Sequence, residues 1–262
     1  MDEEFENVTV SFDEDTGVGY LTMDRPEALN ALNGQLTSDI VAGLRELNAI
    51  NEDTVDMRVV VLEGTEGNFS VGADINEFGD AGPATQVDRG HYQFIKDYPL
   101  PIIAKIRGYC LGGGLETAMS CDFRIAHEDA RFGLPEVDLG LIPGAGGVQF
   151  ISRLANPSVA KEIAMTGDHI TADRAKEIGI ANHVHGDDLD EAVDEFAETI
   201  ASKPPLSIQA IKESGNLAAE VGLEEGLTYD RQLFAPLLGS EDFQEGARAF
   251  AEDDYEPEFK GR

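Results

Sequence analysis

Positive charge is scarce in this sequence. Of 262 residues, 19 are lysine or arginine against 51 aspartate or glutamate, a formal net charge of −32. Binding nucleic acid rests on neutralising phosphates with Lys and Arg, so this balance excludes nucleic acid as a partner class. Self-repulsion on this scale loosens a compact chain in dilute buffer and is screened by salt. The expectation is therefore a halophilic protein that folds and works in concentrated salt. Cysteine is equally sparse. Cys110 and Cys121 sit among apolar neighbours, fit no metal-ligand spacing and read as buried, inert thiols of a reducing compartment. No apolar run approaches the ~20 residues of a membrane span. The opening MDEEFEN is acidic and lacks the basic-then-apolar pattern of a targeting segment. The expectation is a cytoplasmic protein with no membrane partner.

Several chemical signatures are missing too. The Walker pattern with its lysine, the G-x-G-x-x-G fingerprint and the G-x-S-x-G elbow do not occur. The five histidines (His91, His127, His169, His183 and His185) lie in no motif carrying a nucleophile or a metal. His183 and His185 alternate on an expected strand, but no Cys or acidic ligand stands at a suitable spacing, so no metal site is expected.

What is present is the patterning of a globular chain, with 42% hydrophobic residues in runs spread over its whole length. VTVSFD and VGYLTMDR alternate apolar and polar residues around Asp15-Thr16-Gly17, which predicts a hairpin. Asn33 reads as an N-cap, and Leu36, Ile40, Leu44 and Leu47 share one face of the following helix. RVVVLEG reads as a strand buried on both faces. NFSVGADINEF reads as a strand-to-helix turn leading to a second helix that ends before Pro99. PIIAKIRG, a glycine run with its helix, and CDFRIAH continue the rhythm of strand, turn, helix and strand, which argues for an α/β fold with functional loops at strand ends. The segment ARFGLPEVDLGLIPGAGGVQFISRLA is loop-rich until Gly146, and helices dominate from Asn156 onward. Lys203-Pro204-Pro205 marks a boundary between a catalytic domain, residues 1–202, and three amphipathic helices within residues 203–262.

The stretch GYCLGGGLETAMSCD places three glycines directly before an apolar helix that carries Glu116. A glycine turn that opens a helix offers bare backbone N–H groups at the positive end of the helix dipole. With the phosphate-binding patterns absent, the remaining use is an oxyanion hole, in which N–H groups from two segments converge on one carbonyl oxygen. FSVGADI, a second glycine turn, is the candidate for the other donor.

The segments RPEALNAL, FSVGADI, IRGYCLGGGLETAMSCD, FGLPEVDLGLIPGAGG and MTGDHITADRAKEIGI, in this order and spacing, resemble the enoyl-CoA hydratase/isomerase (crotonase) superfamily over nearly the whole chain. The resemblance implies a crotonase-type ββα spiral core with a C-terminal helical oligomerisation region. It also implies trimers or dimers of trimers, and an acyl-CoA thioester as the partner molecule. No metal or redox cofactor is implied, since CoA arrives as part of the substrate. Carried over residue by residue, the oxyanion donors are the N–H groups of Ala73 and Gly113. The acid/base pair is Glu116 and Glu136, and the Gly144 N–H helps to hold the water. Backbone around Ala28 and Leu29, and around Ala73, Asp74 and Ile75, is implied to bind CoA.

Both glutamates are needed for hydration, because one carboxylate must hold and deprotonate water while a neighbouring carboxylic acid gives a proton to the α-carbon. Two acids in one apolar pocket should separate in pKa. Glu136 is assigned as the proton donor and Glu116 as the orienter of the water. An enoyl-CoA Δ3-Δ2 isomerase working with Glu136 alone and a non-catalytic acyl-CoA-binding subunit are the alternatives. A dienoyl-CoA isomerase is disfavoured, since glycine stands at position 144 where those relatives carry aspartate. Asp138 reads as structural or solvated, and Asp74 as the cap of a short helix. The C-terminus departs from the family: FAEDDYEPEFKGR has Asp253 and Asp254 where relatives carry basic residues that hold CoA phosphates. Lys260, and Arg25 at the adenine end, are the remaining candidates for that role.

Overall fold

The computed structural model describes residues 5–78, 90–252 and 254–262. The hairpin forms as the alternation predicts: β1 (Val8–Asp13) pairs antiparallel with β2 (Val18–Met23). Asn33 caps α1 (Gly34–Asn48), its side chain accepting the Leu36 N–H at 2.7 Å. Leu36, Ile40, Leu44 and Leu47 are all buried on the inner face of that helix. β3 (Val59–Gly64) is apolar and buried in its first four residues, as a strand covered on both faces requires. α2 (Gly90–Lys96), β4 (Ile102–Ile106), β5 (Tyr109–Leu111), α3 (Gly113–Ser120) and β6 (Phe123–His127) follow.

Next come β7 (Arg131–Gly133), α4 (Gly147–Leu154), α5 (Pro157–Thr166), β8 (Ile170–Thr171), α6 (Ala172–Glu177), β9 (His183–His185) and α7 (Leu189–Ala201). One six-stranded sheet runs β1-β2-β3-β4-β6-β9, parallel except for the hairpin, and a three-stranded sheet runs β5-β7-β8. The order places the turns after β3 and β5 beside each other at the carboxyl ends of the parallel strands, where ligands of α/β folds bind. The larger apolar core lies on the α1 and α3 side of the main sheet, and a smaller one lies under α7. Cys110 and Cys121 are both buried and free, and burial raises the pKa of each thiol.

The three C-terminal helices are α8 (Pro205–Ala218), α9 (Leu223–Leu237) and α10 (Glu241–Ala251). α8 is pinned to the sheet by Lys212, whose ammonium donates to Asp122 at 2.8 Å and to the Leu100 carbonyl at 2.9 Å. The last residues return to the body of the protein. Val55 N–H donates to the Lys260 carbonyl, and the Arg58 guanidinium donates to the carbonyls of Phe259, Ala201 and Val55. Among the described residues, no helix is long and apolar enough to cross a membrane.

Candidate active site

The three glycines are each required by a different neighbour. Gly112 adopts φ +49°, a region that side chains rarely enter, and a Cβ there would stand 3.0 Å from Glu136 Oε1. A Cβ on Gly113 would stand 2.9 Å from the Tyr92 hydroxyl and 3.4 Å from Ala73 N. On Gly114 it would strike Ser70, at 2.6 Å from the carbonyl oxygen. The run thus lets a helix begin inside the protein with a second turn, a tyrosine and a carboxylate pressed against it. All eight residues of α3 are buried.

Gly72 lies across from this turn, such that a Cβ on it would be 3.3 Å from Gly113 N. Leu32 holds the second turn by accepting from Asp74 N and donating to the Gly72 carbonyl. These bonds flank Ala73 and leave its own N–H facing Gly113, whose N–H is the first of a helix and has no intrahelical acceptor. The structure thus brings together the two segments predicted to donate.

Glu116, 3% exposed, extends from the first turn of α3 to the PGAGG segment. Its Oε1 accepts the N–H groups of Ala145 and Gly147, each at 2.8 Å. Gly144 opens this turn, so the predicted water-holding position adjoins the Glu116 carboxylate. Glu136 comes from a 3-10 turn, Pro135–Leu139, and is half-buried. Burial, and then the charge of Glu116, push its carboxyl up to about 7. Its Oε2 is buried without a hydrogen-bond partner among the described residues. The two carboxyls stand in different surroundings: Glu116 Oε1 accepts two N–H groups, whereas burial favours the protonated form of Glu136.

The remaining predicted residues divide. Ala28 closes a 3-10 turn, Pro26–Ala28, and Leu29 follows at φ +51° with 44% exposure, its carbonyl accepting Val71 N–H. Ile75, 59% exposed, stands on the adjoining turn. Asp74 accepts from Asn76 N–H and from Arg25, which hold its carboxyl below the usual range. Arg25 is a strut: its guanidinium spans Asp74 at 3.1 Å and the Ala31 carbonyl at 2.6 Å. Lys260 is not brought to the site. Its backbone is bonded to Val55 and Asp242, and its ammonium lies 3.3 Å from Glu258. Val55 precedes β3, whereas the FSVGADI turn follows it. Six residues at ~3.3 Å each put the two roughly 20 Å apart within one chain.

Two positions beside the glycine turns escaped the sequence reading. Asn30, fully buried, donates to the carbonyls of Thr65 and Asn68, accepts Arg25 N–H, and gives its own carbonyl to the Ser70 hydroxyl. It ties the RPEALNAL turn to the oxyanion turn from φ +56°. Tyr92, on α2, presents its hydroxyl to Gly113. Asn30 lies within RPEALNAL, where nothing singles it out, and no motif marks Tyr92. The 79–98 stretch gives no pattern from which to read an acyl pocket, and residues 79–89 of it lie outside the described residues. Among the described residues, no group of three or more His, Cys, Asp and Glu could hold a metal ion.

A spiral of parallel strands that delivers two facing glycine turns and a carboxylate pair to one end defines a class of thioester-binding α/β enzymes. The comparisons place this chain within it. Residues 13–262 match the family model "Enoyl-CoA hydratase/isomerase", and the chain belongs to that family. It is 39% identical to the 2,3-dehydroadipyl-CoA hydratase of Escherichia coli, over 92% of this chain and 94% of that protein. It is 36% identical to a probable enoyl-CoA hydratase of Mycobacterium bovis, over 93% and 95% of the two chains. The enoyl-CoA hydratase structure from Bacillus anthracis superposes with a TM-score of 0.89 at 34% identity, covering 98% of this chain and 100% of that one.

Proposed function

We propose that the chain is an enoyl-CoA hydratase that adds water syn across a 2-enoyl-CoA to give the 3-hydroxyacyl-CoA. The thioester oxygen takes hydrogen bonds from the N–H groups of Ala73 and Gly113. Glu116 accepts a proton from water, the hydroxyl oxygen bonds to the β-carbon, and the electron pair of the double bond moves toward the carbonyl as an enolate. Glu136 then delivers its proton to the α-carbon, and the proton on Glu116 returns to Glu136 or to solvent. The observation that carries this reading is that one buried site holds both Glu116, whose Oε1 accepts two backbone N–H groups, and Glu136, whose carboxyl is pushed up to about 7. Backbone at Ala28, Leu29 and Ala73 to Ile75 binds the CoA portion in this reading, and the chemistry needs no metal or redox cofactor. Lys260 reaches a CoA phosphate only on another copy of the chain. The helices α8 to α10, with Ile211, Phe234, Phe243 and Phe250 exposed, support a homotrimer or homohexamer.

The isomerase reading is favoured by one observation, that Glu136 carries a carboxyl pushed up to about 7, and one such group suffices to shuttle a proton between two carbons. The deciding experiment follows loss of enoyl-thioester absorbance from crotonyl-CoA in dilute buffer and in multi-molar KCl. Rapid turnover only in KCl supports both hydration and the halophilic reading. Equal turnover in both removes the salt dependence, and none in either, with the protein folded, moves the reading to an isomerase or to a hydratase for a bulkier acyl group.

A further inference from the structure

Tyr92 lies one turn into α2, is 8% exposed, and meets the site through its hydroxyl. A point one bond out from Gly113 Cα is 2.9 Å from this oxygen, 3.4 Å from Ala73 N and 3.5 Å from the Leu32 side chain. The phenol oxygen and Ala73 N therefore converge on one point beside Gly113. α2 is held there through its neighbour: His91 Nε2 lies 3.2 Å from the Thr117 hydroxyl, which donates to the Gly113 carbonyl at 2.9 Å. The histidine and tyrosine rings are 3.7 Å apart. The hydroxyl is thus placed by the same turn that presents Gly113 N–H. The Thr117 side chain, which donates to the Gly113 carbonyl, is also a hydrogen-bond partner of the phenol, so one contact ties the tyrosine to the first turn of α3.

We infer that the Tyr92 phenol is a third hydrogen-bond donor to the thioester oxygen, acting with the N–H groups of Ala73 and Gly113. This rests on the acyl-CoA reading of the site. Burial and the charge of Glu116 hold the phenol in its protonated, donating form. A donor that strengthens as negative charge develops on the oxygen favours the enolate over the bound substrate.

The test compares wild type with Tyr92→Phe, each as the full chain in multi-molar KCl. It uses two readouts: steady-state hydration of crotonyl-CoA, and the red shift in the absorption of 2,4-hexadienoyl-CoA on binding, which reports polarisation of its carbonyl. The expected result is a fall in kcat on the order of 10²-fold, a KM within threefold, a smaller red shift, and an unchanged unfolding midpoint. Should the phenylalanine variant misfold, a fluorinated tyrosine at position 92, a stronger donor of nearly the same shape, is expected to deepen the shift. An unaltered kcat with an unaltered shift overturns the inference, and so does a loss confined to KM, which would place the phenol against the acyl chain. If folded wild type fails to hydrate crotonyl-CoA, the reading moves to an isomerase or to a hydratase for a bulkier acyl group, and the shift still decides on Tyr92: equal shifts, or none in wild type, overturn it.

Discussion

Replacing Glu116 in two ways separates its chemistry from its scaffolding. The carboxylate oxygen Oε1 is the acceptor for Ala145 N–H and Gly147 N–H, both at 2.8 Å in a buried setting. Glu116→Ala leaves two buried donors unsatisfied, at about 1–3 kcal/mol each. The expected loss of stability is about 2–6 kcal/mol. Glu116→Gln keeps a carbonyl oxygen at that place and exchanges two charge-assisted bonds for neutral ones of about half the strength, a loss of about 1–2 kcal/mol. At roughly 2–4 °C per kcal/mol for a domain near this size, the alanine variant should unfold several degrees below the glutamine variant. Neither side chain can take a proton from water, so turnover should fall together in both, by about 10²–10⁴-fold. Thermal unfolding by circular dichroism and crotonyl-CoA hydration, both in concentrated KCl, supply the two axes. Equal unfolding midpoints would refute the bonding argument. Near-native turnover in Glu116→Gln would refute its role as base.

Glu136 acts in its protonated form, so kcat/KM should decline as pH rises through about 7, and Glu136→Gln should remove that limb along with most of the activity. Stability should also fall across pH 4.5 to 7, because the folded carboxyl keeps a proton that the unfolded one releases; urea unfolding at pH 5 and 7.5 measures this. Gly112→Ala should lower kcat more than it raises KM, since the new methyl meets φ +49° strain of about 1–2 kcal/mol and displaces the Glu136 carboxylate 3.0 Å away. Lys212→Met strands Asp122 in a site where burial already raises its pKa, at a cost of about 3 kcal/mol. Lys212→Met with Asp122→Asn should recover much of that loss in chemical unfolding.

Local pattern made the hairpin, the Asn33 cap and the apolar face of α1 legible, because each is fixed by neighbours within a turn or two. The two glycine turns were legible as bare N–H groups opening helices, and Glu116 and Glu136 through the resemblance of the segments that hold them. What stayed illegible is set by partners distant in sequence. Lys212 and Asp122 are 90 residues apart, and Asn30 grips carbonyls 35 and 38 residues away. Tyr92 owes its place to a glycine on another helix. Arg25 and Lys260 read as free cations because a sequence does not display the carboxylates and carbonyls that fold onto them.

The placement of the basic residues has a chemical consequence of its own. Of seven lysines, Lys96, Lys105, Lys212 and Lys260 lie within 4 Å of carboxylates, and Lys161, Lys176 and Lys203 stand exposed. Only a free amine is a nucleophile, and the carboxylates of Glu63 and Asp190 raise the pKa of the Lys105 ammonium against its burial. Thioesters acylate amines, so the proposed acyl-CoA substrate would meet few exposed amines to modify. The same scarcity makes an amine-directed label a sparse reporter, confined to α5, α6 and the linker before α8.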